Sequence, residues 1–196
     1  METVHKLYDR GVQNGVPDMR VLTKEEVLAM EPNISTEVHG ALYAPSAAIV
    51  NPWEFCIALA ETAVRNGGEM HLNSKVTAIE KKDGVFHITT ASGEFEARYV
   101  VNAAGVYADK VHEMVGGSGF HTIYNRGEYY MMDKSQGNLV NKVVFQCPSE
   151  VGKGVLVSPT VHGNLIVGPN AVNCAHGDDV DNTAEGLDFV RRTAAR

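Results

Sequence analysis

The alternation of apolar and polar positions divides the chain into a helical opening, a central run of short strands and a later run of longer extended segments. Val4, Leu7, Tyr8 and Val12 recur at helical spacing and stop at Asn14-Gly15-Val16-Pro17, a turn signature, so a short amphipathic helix is expected. Thr23-Lys24-Glu25-Glu26 has the layout of a capping box, the hydroxyl taking one free amide and Glu26 reaching back. It predicts a helix carrying Val27, Leu28 and Met30, halted by Pro32. Asn51-Pro52-Trp53-Glu54 is a stronger start, with an Asn cap, a proline at the first helical position and a carboxylate in the first turn. Cys56, Leu59, Ala60, Ala63 and Val64 then share one face, and Gly67-Gly68 ends the helix.

Strands are expected near 69–72, 75–81, 85–90 and 95–102, the later ones separated by Lys82-Asp83-Gly84 and Ser92-Gly93. Two tight turns make an antiparallel meander whose last strand runs on into Val100-Val101. After Gly116-Gly117-Ser118-Gly119 the texture changes to longer extended stretches, 121–133, 142–146, 155–160 and 165–168, with a His162-Gly163-Asn164 turn between the last two. A final helix is expected from Thr183, bearing Leu187, Phe189 and Val190, and it reaches Arg196 without a Gly or Pro terminator. The fold class is therefore α/β in two lobes. The larger lobe is an α+β arrangement on one large mixed sheet, drawing on a strand near Ala41 and those after Phe120; the smaller runs from about Glu69 to Val115 around the meander.

Composition narrows the function. With 196 residues, 44% hydrophobic and 21% charged, the chain has material for a core and is neither disordered nor fibrous. Seventeen Lys and Arg against 24 Asp and Glu give a net charge of -7, which leaves no basic stripe for phosphates and argues against nucleic-acid binding. Cys56, Cys147 and Cys174 are odd in number and far apart, so no disulfide framework and no metal site is expected, and a reducing compartment follows. The opening Met-Glu-Thr-Val-His-Lys has no apolar stretch, and no run approaches the roughly 18 to 20 apolar residues of a membrane span. A cytoplasmic protein is the expectation.

Two stretches could carry chemistry. In Tyr99-Val100-Val101-Asn102-Ala103-Ala104-Gly105-Val106-Tyr107-Ala108-Asp109 a β-branched strand meets three small residues and then a helix, a geometry that lets a phosphate approach backbone amides. A plain β-to-α turn, with small residues for close packing, accounts for the same letters. In Asn125-Arg126-Gly127-Glu128-Tyr129-Tyr130, strand alternation puts Arg126, Glu128 and Tyr130 on one face and Gly127, Tyr129 and Met131 on the other. Gly127 marks either close approach by a ligand or a bulge beside an exposed Arg126–Glu128 ion pair. Gly116-Gly117-Ser118-Gly119 follows a helix and reads as a linker, and Gly152-Lys153-Gly154 lacks the rest of a P-loop. His39, His71, His87, His121 and His162 are expected at surface or satisfied positions, and Met131-Met132 in the core.

Asn14-Gly15-Val16-Pro17, Tyr43-Ala44-Pro45, Val100-Val101-Asn102-Ala103-Ala104-Gly105, Arg126-Gly127-Glu128-Tyr129-Tyr130, Ser158-Pro159-Thr160 and Gly168-Pro169-Asn170 together resemble the FAD-dependent oxidoreductases of the D-amino-acid-oxidase superfamily. The nearest branch is the bacterial glycerol-3-phosphate dehydrogenase type, followed by L-2-hydroxyglutarate oxidase. That family opens with a strand, a Gly-x-Gly-x-x-Gly turn and a helix for the ADP half of FAD, and closes with a Gly-rich segment around the flavin. Neither is matched here, so the resemblance implies the middle of such an enzyme, and the unterminated last helix favours an excised piece. On this layout 1–67 is a substrate-domain portion with connecting helices, 68–117 a partial FAD-binding domain, and 118–196 the substrate-domain sheet.

Carried onto these residues, the resemblance implies that Val76 offers its backbone to the adenine and that Ala103, Ala104 and Gly105 pack against the ADP portion of FAD. Tyr129 would stand over the flavin face and Arg126 would meet a substrate anion; no catalytic residue is assigned. The implied reaction is oxidation of a small anionic hydroxy substrate, glycerol 3-phosphate first and L-2-hydroxyglutarate second, with FAD in the intact parent enzyme and absent or weakly bound in this chain. Peripheral membrane association of the parent stays open. A reading from another class is a non-catalytic binding module that keeps the substrate-domain fold.

Overall fold

The computed structural model describes residues 1–148 and 154–195. In chain order the elements are α1 (Glu2–Gln13), β1 (Arg20–Thr23), α2 (Lys24–Met30), β2 (Gly40–Tyr43), α3 (Pro52–Arg65), β3 (Val76–Lys82), β4 (Val85–Thr90) and β5 (Gly93–Ala97). They continue with α4 (Ala108–Met114), β6 (Asn125–Arg126), β7 (Tyr130–Met132), β8 (Val144–Phe145), β9 (Leu156–Pro159), β10 (Leu165–Gly168), β11 (Val172–Asn173) and α5 (Ala184–Ala194). Two compact units emerge: unit 1 comprises Met1–Phe55, Gly127–Val172 and Val180–Arg196, and unit 2 comprises Cys56–Arg126 and Asn173–Asp179. Gly152 and Lys153 of the Gly-Lys-Gly stretch lie outside the described residues.

Unit 1 is built from capped helices against small antiparallel sheets. The predicted capping box is present: the Glu26 amide donates to Thr23 Oγ1 at 3.3 Å and the Thr23 amide to the Glu26 carboxylate at 2.8 Å. At the start of α3 Asn51 Oδ1 accepts from the amides of Trp53 at 3.0 Å and Glu54 at 3.2 Å, while Nδ2 faces His162 Nε2 at 2.8 Å. β1 pairs with β2, and a separate four-stranded sheet runs β7-β10-β9-β8. Every register described is antiparallel. The α/β class with mixed helices and strands therefore stands, but its single large mixed sheet does not: the strand near Ala41 pairs with Arg20–Thr23, not with the strands after Phe120. Buried Val4, Leu22, Val27, Val140, Val155, Leu165 and Val190 form the core of this unit. Met131 and Met132 are exposed rather than in it, because β7 is an edge strand with a neighbour on one side only.

Unit 2 is organised on the meander β3-β4-β5. Its first turn works because Asp83 and Gly84 both adopt positive φ, 49° and 84°, which matches the twist of a two-residue hairpin. Ile79 is buried, and Val76 pairs with Thr90 beside a register shift between Val76 and Ala78. The strand expected at 69–72 does not form, and the one expected at 95–102 stops at Ala97, leaving Tyr99 and Val101 each 88% exposed. Both segments have the right letters, but no described strand lies alongside to supply a ladder, and an extended segment without partners does not count as sheet. The apolar side of α3 is likewise uncovered at Ile57, Leu59 and Val64. No described helix is long and apolar enough to cross a membrane.

Candidate functional site

In unit 2 the small-residue turn is shaped by Asn102. Its side-chain nitrogen donates to the Ala108 carbonyl at 2.8 Å and its Oδ1 accepts from the Ala104 amide at 3.3 Å, so one amide group bridges the turn to the first residue of α4. Gly105 sits at φ 56°, and a Cβ there would meet nothing within 4 Å. The turn is thus an open ledge, with Ala103 and Gly105 exposed and Ala104 half-buried, where a flat or anionic group can come close to backbone. Val76 lies on β3, an edge strand of its sheet.

Asp109, one turn further, is buried, and its carboxylate accepts from the amides of Lys110 at 2.8 Å and Thr122 at 3.1 Å. The Thr122 amide is the main reason its pKa is lowered. Glu113 bonds Lys110 Nζ at 3.3 Å, which raises the lysine pKa. Ligand atoms of Asp109, Glu113 and His121 lie within 4.8 Å of one another. With backbone amides on both Asp109 oxygens and a lysine on Glu113, these carboxylates are engaged in tying 120–122 to the helix.

The Arg126–Tyr130 stretch departs from a regular strand at the glycine. β6 ends at Arg126 and β7 begins at Tyr130, so 127–129 lie outside any ladder. A Cβ on Gly127 would stand 2.7 Å from Pro169 Cβ, and only glycine admits that approach. Arg126 donates to Asp179 within unit 2, fifty-three residues away. Of the two alternatives at Gly127, an Arg126–Glu128 pair on an exposed face does not fit, because Glu128 is buried. Glu128, in unit 1, is fully buried: its amide donates to Asn170 Oδ1 at 2.8 Å and its carboxylate accepts from the Thr183 hydroxyl at 3.1 and 3.2 Å. Tyr129, the next residue, is 46% exposed. Sequence reasoning set out the opposed faces of Glu128 and Tyr129 but missed the roles of Asn170, Thr183 and Asp179. The usable signal was Thr183-x-x-Gly186, a helix cap whose glycine leaves room for a neighbouring group.

The family model of FAD dependent oxidoreductase, DAO, matches residues 1–196, and the chain belongs to that family. It is 52% identical over 196 residues to glycerol 3-phosphate dehydrogenase of Caloramator mitchellensis, covering 100% of this chain and 41% of that protein. It is 33% identical over 176 residues to L-2-hydroxyglutarate dehydrogenase of Escherichia coli, covering 88% of this chain and 41% of the relative. Among solved structures, the dithionite-reduced L-alpha-glycerophosphate oxidase of Mycoplasma pneumoniae with FAD bound superposes with a TM-score of 0.90 at 30% identity, over 98% of this chain and 52% of that one. The chain therefore spans about half the length of the relatives it matches, or less.

Proposed function

We propose that this chain is the middle portion of an FAD-dependent oxidoreductase that converts glycerol 3-phosphate to dihydroxyacetone phosphate. The observation that carries the reading is 52% identity to a glycerol 3-phosphate dehydrogenase along the entire chain. Val76, on an edge strand, is assigned to the adenine, and the open turn of Ala103, Ala104 and Gly105 to the ADP portion of FAD. FAD held there would supply the oxidation, as acceptor of the two electrons removed from the substrate's secondary alcohol. The chain's own residues orient and exclude: Tyr129 presents a half-exposed phenol toward the substrate. Arg126 would bind the phosphate by exchanging Asp179 for it, and a guanidinium is suited to a bidentate grip on such an anion. The remaining half of the parent enzyme is assigned the pyrophosphate cradle and the covering of α3, so these 196 residues alone are expected to bind FAD weakly or not at all.

The 33% identity to an L-2-hydroxyglutarate dehydrogenase supports a second substrate, which also carries a hydroxyl next to an anionic group. The test uses the full-length enzyme with FAD bound, mixed without oxygen with each compound while the flavin absorbance is followed. Glycerol 3-phosphate is expected to bleach the band; bleaching by L-2-hydroxyglutarate alone would transfer the assignment, and bleaching by neither would favour a non-catalytic binding module. Sedimentation of the same protein with anionic vesicles tests whether the parent associates peripherally with membranes.

A further inference from the structure

Residues 127–129 have no ladder hydrogen bonds of their own, so something else must decide which of their side chains turns inward. Two fixed points do so within unit 1. The Glu128 amide is held by Asn170 Oδ1, and its carboxylate is held by Thr183, whose hydroxyl oxygen also accepts from the Gly186 amide at 3.0 Å as the cap of α5. The glycines around it are cut to fit. A Cβ on Gly186 would stand 1.7 Å from Glu128 Oε2, and one on Gly168 would stand 2.8 Å from both the Glu128 carbonyl oxygen and Tyr129 Cδ1. A buried carboxylate at a helix N-terminus is in a favourable field, and with Glu128 held at both its amide and its carboxylate the neighbouring Tyr129 ring is left half-exposed beside Gly127 and Gly168.

We propose that Glu128 is a positioning residue: by docking into the N-terminus of α5 it fixes Tyr129 in the outward orientation that the substrate meets. The inference rests on the reading of Tyr129 as a substrate-contacting side chain. It assigns no contact between Glu128 and the substrate, and it makes Asn170, Thr183 and Gly186 parts of the same support.

The test is a double-substitution cycle in the full-length FAD-loaded enzyme, in this numbering, with glycerol 3-phosphate as the probe. Glu128→Ala is expected to lower kcat/KM about tenfold in the otherwise unaltered enzyme and less than about twofold when Tyr129→Ala is already present. The melting temperature should fall by the same amount in both backgrounds. Glu128→Gln, which keeps the shape and an acceptor oxygen for Thr183, should recover most of the loss. An equal kcat/KM penalty in both backgrounds would show a merely structural carboxylate and overturn the proposal while leaving the reading of Tyr129 intact. If Tyr129→Ala leaves kcat/KM unchanged, that reading fails and the positioning role fails with it. Should Glu128→Ala not accumulate as folded protein, Thr183→Val takes its place in the cycle, with the same two outcomes.

Discussion

Unit 1 and unit 2 bury different things. Unit 1 holds nearly all of the buried apolar side chains found among the described residues and, with them, buried Glu31, Glu128 and Asn170, each tied by hydrogen bonds. Glu31 accepts the Asn141 amide at 3.0 and 2.9 Å, so even its interior charge staples distant chain. Unit 2 buries Ile79 and Asp109 and leaves Ile57, Leu59, Val64, Met70, Leu72, Tyr99 and Val101 exposed. A hydrophobic surface kept in water contributes nothing to stability, whereas burial of one such side chain is worth roughly 1.5 to 3 kcal/mol. The difference teaches that one unit has an interior of its own, while the other is mainly a sheet and helices held by backbone ladders and caps.

Substitutions can break that contrast. Leu165→Ala in the core of unit 1 should have the largest effect, about 3 kcal/mol lost in urea unfolding followed by circular dichroism. Gly186→Ala, which adds a methyl group where Glu128 already stands, should cost about 2 kcal/mol in the same measurement. Ile57→Ala makes a comparable truncation on α3 in unit 2, yet should change stability by less than about 0.5 kcal/mol, because that side chain is already in water. A loss as large as that of Leu165→Ala would mean that α3 is covered after all.

The smallest expected effect is an acid dependence in unit 2. The Asp109 pKa is lowered in the fold, chiefly by the Thr122 amide, so its stabilising contribution is complete above the unfolded value of about 3.9 and is lost as pH falls through the lower folded one. Protection of the Thr122 amide, followed by NMR hydrogen exchange, should therefore decline in that acidic range, and Asp109→Asn should remove the dependence.

What could be read from the sequence was what short stretches decide alone. Thr23 with Glu26, Asn51 with Pro52, and Asp83 with Gly84 each encode a cap or turn within four residues, and each is found. The strands at 69–72 and 99–101 depended on neighbours that the letters do not reveal, and they failed together. The candidate site divided the same way. Alternation separated Glu128 from Tyr129, which do differ in burial, but Arg126 to Asp179 spans 53 residues and Thr183 to Glu128 spans 55, beyond the reach of any local pattern. The exposed alternative for Glu128 stayed open in the sequence because a carboxylate two residues from an arginine resembles a surface pair until its burial is known.

The Asn51 cap also sets two demands on one neighbouring ring. Because Oδ1 is committed to the amides of Trp53 and Glu54, the side of Asn51 turned to His162 is its NH2, which can only donate. That contact, at 2.8 Å, calls for a lone pair on His162 Nε2. Glu54 Oε1, 3.5 Å from the same Nε2, needs the opposite: a nitrogen that carries hydrogen. The imidazole therefore cannot serve both neighbours at once. Whichever neighbour the ring serves, the start of α3 is unaffected, because Asn51 grips the two helix amides through its other side-chain atom.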